Sequence, residues 1–114
     1  MSLQHHTLIE NGDVKILHIK GKLMGGNETE EVRNTLHDLV TKGNKKIIID
    51  LGETTWMNST GIGALIGGLQ SIREVNGKLF LSRVSKSMDE LMIVSRLDML
   101  FSTFATTEEA LANF

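Results

Sequence analysis

Trp56-Met57-Asn58-Ser59-Thr60-Gly61-Ile62-Gly63 is the stretch from which the fold of this chain is read. Before it lies an apolar run, Ile47 to Leu51. After it, Ile62, Leu65, Ile66, Leu69 and Ile72 share one helical face. The run reads as a strand, the stretch itself as a short loop, and the sequel as a helix from about Thr60 to Val75, ended by Asn76-Gly77.

The start of that helix differs from the other predicted helix starts. Asn27-x-x-Glu30, Ser87-x-x-Glu90 and Thr106-x-x-Glu109 each place a polar cap three residues before an acid. The helix after Ser59 opens instead with Thr60, Gly61, Ile62, Gly63 and Ala64, without an acid. Helix N-termini favour negative charge because their first N–H groups are unpaired. Two readings follow: Ser59 is a plain N-cap, a role serine favours, or it carries a phosphate that supplies the missing charge. Thr60 is a weaker second acceptor. Gly61 and Gly63 suit tight packing of helix on sheet more than phosphate binding.

Working outward, Thr7 to Glu10 and Val14 to Lys20 read as strands joined at Asn11-Gly12, a hairpin signal. Gly21 to Gly26 reads as a glycine-bearing loop. Between Glu28 and Lys42, Val32, Leu36, Leu39 and Val40 predict an amphipathic helix stopped by Gly43. The strand from Lys45 to Leu51 holds Ile47-Ile48-Ile49, apolar towards both faces, as a central strand covered on at least part of each side would be. Lys78 to Val84 is a further strand, Met88 to Ser95 a short helix, Phe101 to Ala105 a weak strand and Thr107 to Asn113 a last helix. Met88, Leu91, Met92 and Trp56, the one tryptophan, are assigned to the core.

The order β-β-α-β-α-β-α-β-α predicts an α/β fold: one domain over 1–114, with a mixed, mostly parallel sheet and about four helices packed mainly on one face. Residues 1–6 are expected to be a poorly ordered N-terminus. Loops leaving the carboxyl ends of parallel strands are where such sheets bind partners. Met24 to Asn27, Trp56 to Ser59 and Ser85 to Ser87 are therefore the candidate functional surface.

Composition narrows the classes. At 114 residues, 40% hydrophobic and 23% charged, the chain is ordinary globular material, able to bury roughly two-thirds of its unfolded surface. A net charge of −2 without a long basic run offers no footprint for nucleic acid. Lys45-Lys46 is the largest basic pair. The absence of cysteine removes thiol catalysis, disulfides and thiolate metal sites, and fits the cytoplasm. No signal peptide is visible, and Gly61 to Leu69 falls far short of the roughly 20 residues that span a bilayer. His5, His6, His18 and His37 lack ligand spacing, so no metal and no cofactor are expected.

The strand, Asn58-Ser59-Thr60-Gly61-Ile62-Gly63, an amphipathic helix, a glycine turn and another strand together resemble the STAS domain. More closely, the chain resembles the stand-alone bacterial anti-sigma factor antagonists. The likeness runs from Thr7 to Phe114 and includes Gly21-Lys22-Leu23 and Ser95-Arg96-Leu97-Asp98. The resemblance implies phosphorylation at Ser59 by an ATPase-fold serine kinase that is also the anti-sigma factor, and removal of the phosphate by a PP2C-type phosphatase. It implies that the unphosphorylated form binds the kinase and so frees a sigma factor. Partner contacts are expected on Met24, Gly25, Asn27, Met57, Asn58, Thr60, Gly61, Ile62 and Ser85. A monomer or weak dimer, without membrane insertion or direct nucleic-acid contact, is expected. Two departures stand out: Asn58 replaces the acid of Asp-Ser-Ser/Thr-Gly, and Met24 replaces that of Gly-x-Leu-Asp. Both lower repulsion against a phosphoserine.

Two other readings belong to different classes. One is a non-switching interaction subunit of a signalling scaffold or transporter complex. The other is a small-ligand or nucleotide-binding domain using the helix end as an anion site. Enzyme readings fare worse. Met57 stands where a nucleophile elbow needs glycine, and the Gly-x-Gly-x-x-Gly and Gly-x-x-x-x-Gly-Lys fingerprints are absent.

Overall fold

The computed structural model describes residues 6–114, and the side chains from 8 onward. The first strand, β1 (His6–Asn11), turns antiparallel into β2 (Val14–Leu23). Asn11 pairs with Val14, so the two turn residues are Gly12 and Asp13, not Asn11-Gly12. Gly12 alone takes positive φ, 64°, the pattern of a turn with glycine first. Asp13 then reaches Lys46 at 3.0 Å, tying the turn to the next strand. The expected disorder of residues 1–5 lies outside the described residues, and His6 already pairs with Ile19.

Then follow α1 (Gly26–Thr41), β3 (Lys46–Met57), α2 (Ser59–Glu74), β4 (Lys78–Ser82), α3 (Lys86–Val94), a 3-10 turn (Leu97–Met99), β5 (Ser102–Phe104) and α4 (Thr107–Ala112). The five strands lie in the order β1-β2-β3-β4-β5, and every pairing after the hairpin is parallel. This is the mixed, mostly parallel α/β sheet expected from the element order. Among the described residues no helix is long and apolar enough to cross a membrane.

Burial follows the two-residue alternation of the strands. Leu17, Ile19, Ile47, Ile49, Leu51 and Leu81 face α1, α2 and α3, where Val32, Leu36, Leu65, Leu69, Met88 and Met92 meet them. Val14, Ile16, Ile48 and Phe80 face the other way, towards Ala110 of α4. The Phe80 ring stacks on Phe114 and tilts against Phe104. The triple isoleucine of β3 is therefore apolar on both faces because helices cover both, three on one side and one on the other.

Two strands run further than the sequence suggested. β2 continues through Gly21-Lys22-Leu23, and β3 continues six residues past Leu51 to Met57. Gly52 does not break β3. The Arg83 guanidinium occupies the space a Cβ would need there, with its Cζ 2.3 Å from that position. Against β2, the partner of successive residues jumps from Asp50 to Glu53 and from Thr54 to Trp56. Each jump is an extra residue in β3, a bulge that raises local twist. Thr54 Oγ1 donates to Ile19 O at 2.9 Å between them, giving a polar side chain in the core a partner.

Candidate functional site

Extending both strands brings their ends together. Leu23 pairs with Met57, and both are buried in the core. Met57 is therefore not a surface contact: the alternation of β3 turns it inward. The same alternation turns Trp56 outward, and it is 41% exposed rather than part of the core.

Asn58 is the only residue between β3 and α2. Its N–H donates to Leu23 O at 3.1 Å, and its carbonyl accepts from Ile62 N–H at 2.9 Å. Its side chain works in both directions: Oδ1 accepts from Gly61 N–H at 3.0 Å, and Nδ2 donates to Met24 O at 2.9 Å. Asn58, not Ser59, is the N-cap. Serine and asparagine cap equally well in general. Here only an amide can satisfy both the helix N–H and the Met24 carbonyl. Ser59 becomes the first helical residue, exposed, as is Thr60. Their N–H groups precede the intrahelical ladder, and no acid occupies the first turn of α2.

Met24 and Gly25 form the other wall. Gly25, at φ 93°, caps α1 through its backbone, and its N–H donates to Thr29 Oγ1 at 2.8 Å. Asn27, expected to cap, lies exposed in the first turn of α1. A Cβ placed on Gly25 would sit 3.7 Å from the Thr60 side chain, so the two loops touch. Gly61 is needed for close approach: a Cβ there would fall 2.3 Å from Leu23 O. Gly63 would meet nothing, so packing explains the first glycine and not the second. Ile62 is half-buried against the core, and Met24 is 48% exposed.

The structure thus gathers Met24, Gly25, Asn58, Ser59 and Thr60 into one small surface, with Asn27 and Ile62 in the adjoining helical turns; Gly61, expected as a partner contact, is buried against Leu23 beneath it. Ser85 follows β4, not β2 or β3. It caps α3, accepting from Met88 N–H at 3.3 Å, the role the sequence gave to Ser87. β4 makes its last pairing with Asp50, well before β3 ends at Met57.

A charged group on the outer side of the sheet was not legible from spacing. His18 lies with Nδ1 3.3 Å from Asp50 Oδ2 and Nε2 2.7 Å from Glu53 Oε1. Arg83 Nη1 donates to Asp50 Oδ2 at 3.2 Å, and Gly52 N–H donates to Asp50 Oδ1 at 2.9 Å. The hydrogen bond with His18 holds the Glu53 carboxyl below its usual range. Parallel pairing of His18 with Asp50 and the first bulge bring these residues together. Among the described residues no group of His, Asp and Glu is arranged to hold a metal ion.

Comparison with known proteins agrees with this architecture. The STAS domain family pattern matches residues 6–110. A Bordetella bronchiseptica protein, BtrV, named as a candidate anti-sigma factor antagonist, is 26% identical over 85 residues, covering 75% of this chain and 73% of that protein. The crystal structure of a candidate anti-sigma factor antagonist from Thermotoga maritima superposes with a TM-score of 0.87 at 22% identity, covering 94% of this chain and 92% of that one. The Bacillus cell fate determinant SpoIIAA in its phosphorylated form superposes with a TM-score of 0.75 at 23% identity, covering 94% and 96%.

Proposed function

This chain belongs to the STAS domain family, and from that premise we propose that it acts in the cytoplasm as an anti-sigma factor antagonist switched at Ser59. The observation that carries the reading is the division of labour at the start of α2. Asn58 takes the cap, so the Ser59 hydroxyl is exposed and free of a structural task. A serine that capped the helix would have to give up its hydrogen bond to be modified; this one does not. The name of the Bordetella relative supports the antagonist role.

In this reading the unphosphorylated surface, formed by Met24, Gly25, Asn27, Asn58, Ser59, Thr60 and Ile62, binds an ATPase-fold serine kinase that is also the anti-sigma factor. Its neutrality suits burial, and the exposed, flexible Met24 suits adaptable contact. The kinase transfers the γ-phosphoryl group of ATP to Ser59 Oγ, which gives up its proton, and ADP leaves. A PP2C-type phosphatase reverses the change by hydrolysis.

Phosphate adds about −1.5 to −2 charges at pH 7. The N–H groups of Ser59 and Thr60 and the helix dipole offset part of it, roughly 0.3–1 kcal/mol at an exposed site. Burying an uncompensated charge across an interface costs several kcal/mol. A net penalty of about 3 kcal/mol weakens binding by roughly two orders of magnitude. The switch is therefore local and needs no refolding.

Site-resolved mass spectrometry of the protein isolated from its host tests the modification. The expected result is phosphate on Ser59 in part of the population. Phosphate on Thr60 with Ser59 always bare, or none in any growth state, overturns it.

A further inference from the structure

On the face of the sheet turned away from α1, α2 and α3, α4 covers the first part of β2 and β3, around Val14, Ile16 and Ile48, and β4 from Phe80 to Ser82. Past the last β3–β4 pairing at Asp50, β2 and β3 continue together as a two-stranded arm that ends beside Asn58. Lys20 and Lys22 follow Ile16 and His18 on the alternating face of β2, and both are exposed. In the parallel register Lys20 lies opposite Glu53 and Lys22 opposite Trp56. Among the described residues, the arm therefore presents one uncovered face: a half-exposed tryptophan flanked by two lysines.

The charges on this face are unevenly spent. Asp50 is held by Arg83 and Glu53 by His18. Lys20, Lys22 and Arg83 outnumber the two carboxylates, a local positive excess on a chain whose net charge is −2. Exposed aromatic side chains are frequent anchors of protein contacts, and charges at the rim of a contact steer partners of the opposite sign.

We propose that this arm docks an acidic, extended segment of a partner protein, with Trp56 as the apolar anchor and Lys20 and Lys22 receiving carboxylates. Residues two apart on a strand are spaced roughly 6.6 Å, the same repeat as alternate side chains of an extended peptide. A peptide with acids at alternate positions matches both lysines at once. A nucleic acid is disfavoured because the rest of the chain carries the opposite charge and no basic track continues from the arm.

The test is an NMR titration of the unphosphorylated protein with a short peptide alternating Glu and Thr, read also by fluorescence of Trp56, the one tryptophan. A Lys–Thr peptide and an oligothymidylate serve as comparisons. The expected result is perturbation confined to Lys20–Leu23 and Glu53–Met57, with a Trp56 fluorescence change. Lys20→Gln/Lys22→Gln should weaken binding by about tenfold, while its amide spectrum shows that it stays folded. No perturbation on the arm, an unchanged response in the double variant, or an equal response to either comparison ligand overturns the proposal. Because no phosphate is involved, this outcome is separate from that of the Ser59 switch.

Discussion

The side-chain amide of Asn58 does two things that a carboxylate cannot do together. It accepts from the Gly61 N–H and donates to the Met24 carbonyl. An aspartate would keep the first bond and set two oxygens against each other in the second. The departure from the Asp-Ser-Ser/Thr-Gly pattern thus has a structural reason in this chain, where Met24 turns its carbonyl to the cap. It also leaves Ser59 outside the cap. Asn58→Ala should destabilise the fold by about 1 kcal/mol or more, the usual cost of a lost cap. Ser59→Ala should stay within about 0.5 kcal/mol of wild type. Urea unfolding of the two variants measures both, and equal losses would return the cap to Ser59. The sequence left the choice open because both residues are favoured caps and sit side by side.

At the scale of elements, the consequential finding is the length of β3. Glycine, an acid and two threonines at positions 52–55 read as the end of a strand, yet the ladder continues to Met57. What holds it is non-local: Arg83 lies over Gly52, Thr54 bonds to Ile19, and Glu53 is held by His18. None of these contacts has a sequence spacing that announces it. The inward Met57 and outward Trp56 follow from that extension alone. The same logic separates the two glycines of α2. Gly61→Ala drives a Cβ into Leu23 O, a backbone atom that cannot move aside cheaply, and should cost about 1–3 kcal/mol. Gly63→Ala meets only open space and should gain up to about 1 kcal/mol of helix propensity. Thermal melts of the pair give the comparison, and a loss at Gly63 as large as at Gly61 would contradict it.

The tie between β2 and β3 also has a pH signature. The Glu53 carboxyl is held below its usual value of 4.5 by the hydrogen bond from His18. A depressed carboxyl contributes stability that is present above that value and is lost as pH falls through the folded one. In His18→Ala the Glu53 titration, followed by NMR, should move back up towards its ordinary range. The variant should then lose less stability than wild type on acidification below pH 4.5. An unmoved Glu53 titration would show that His18 is not the cause.

For the whole molecule, the element order and the apolar faces at Val32, Leu36, Leu39 and at Ile62, Leu65, Leu69, Ile72 were enough to state the α/β sheet and its helical layer. Local periodicity carries that much because burial on one face imposes it. Sequence could not separate Ser85 from the other two loops, since the relative lengths of β3 and β4 are set by tertiary contacts. Nor could it show that α4 stops short of the β2–β3 arm, leaving Trp56 uncovered. Element order also assembled Met24 and Gly25 beside Ser59, the core of the candidate site. The backbone approach of Gly61 to Leu23 explains why that assembly is close enough to act as one surface.

The central claim is that one charge at Ser59 decides whether the partner binds. The most direct measurement is a pull-down from host lysate with wild type, Ser59→Ala and Ser59→Glu, read by quantitative mass spectrometry. An ATPase-fold kinase retained by wild type and Ser59→Ala but lost with Ser59→Glu is the predicted result. The same partners, held equally by all three, would contradict the switch and leave Ser59 as an exposed first-turn residue without a regulatory role.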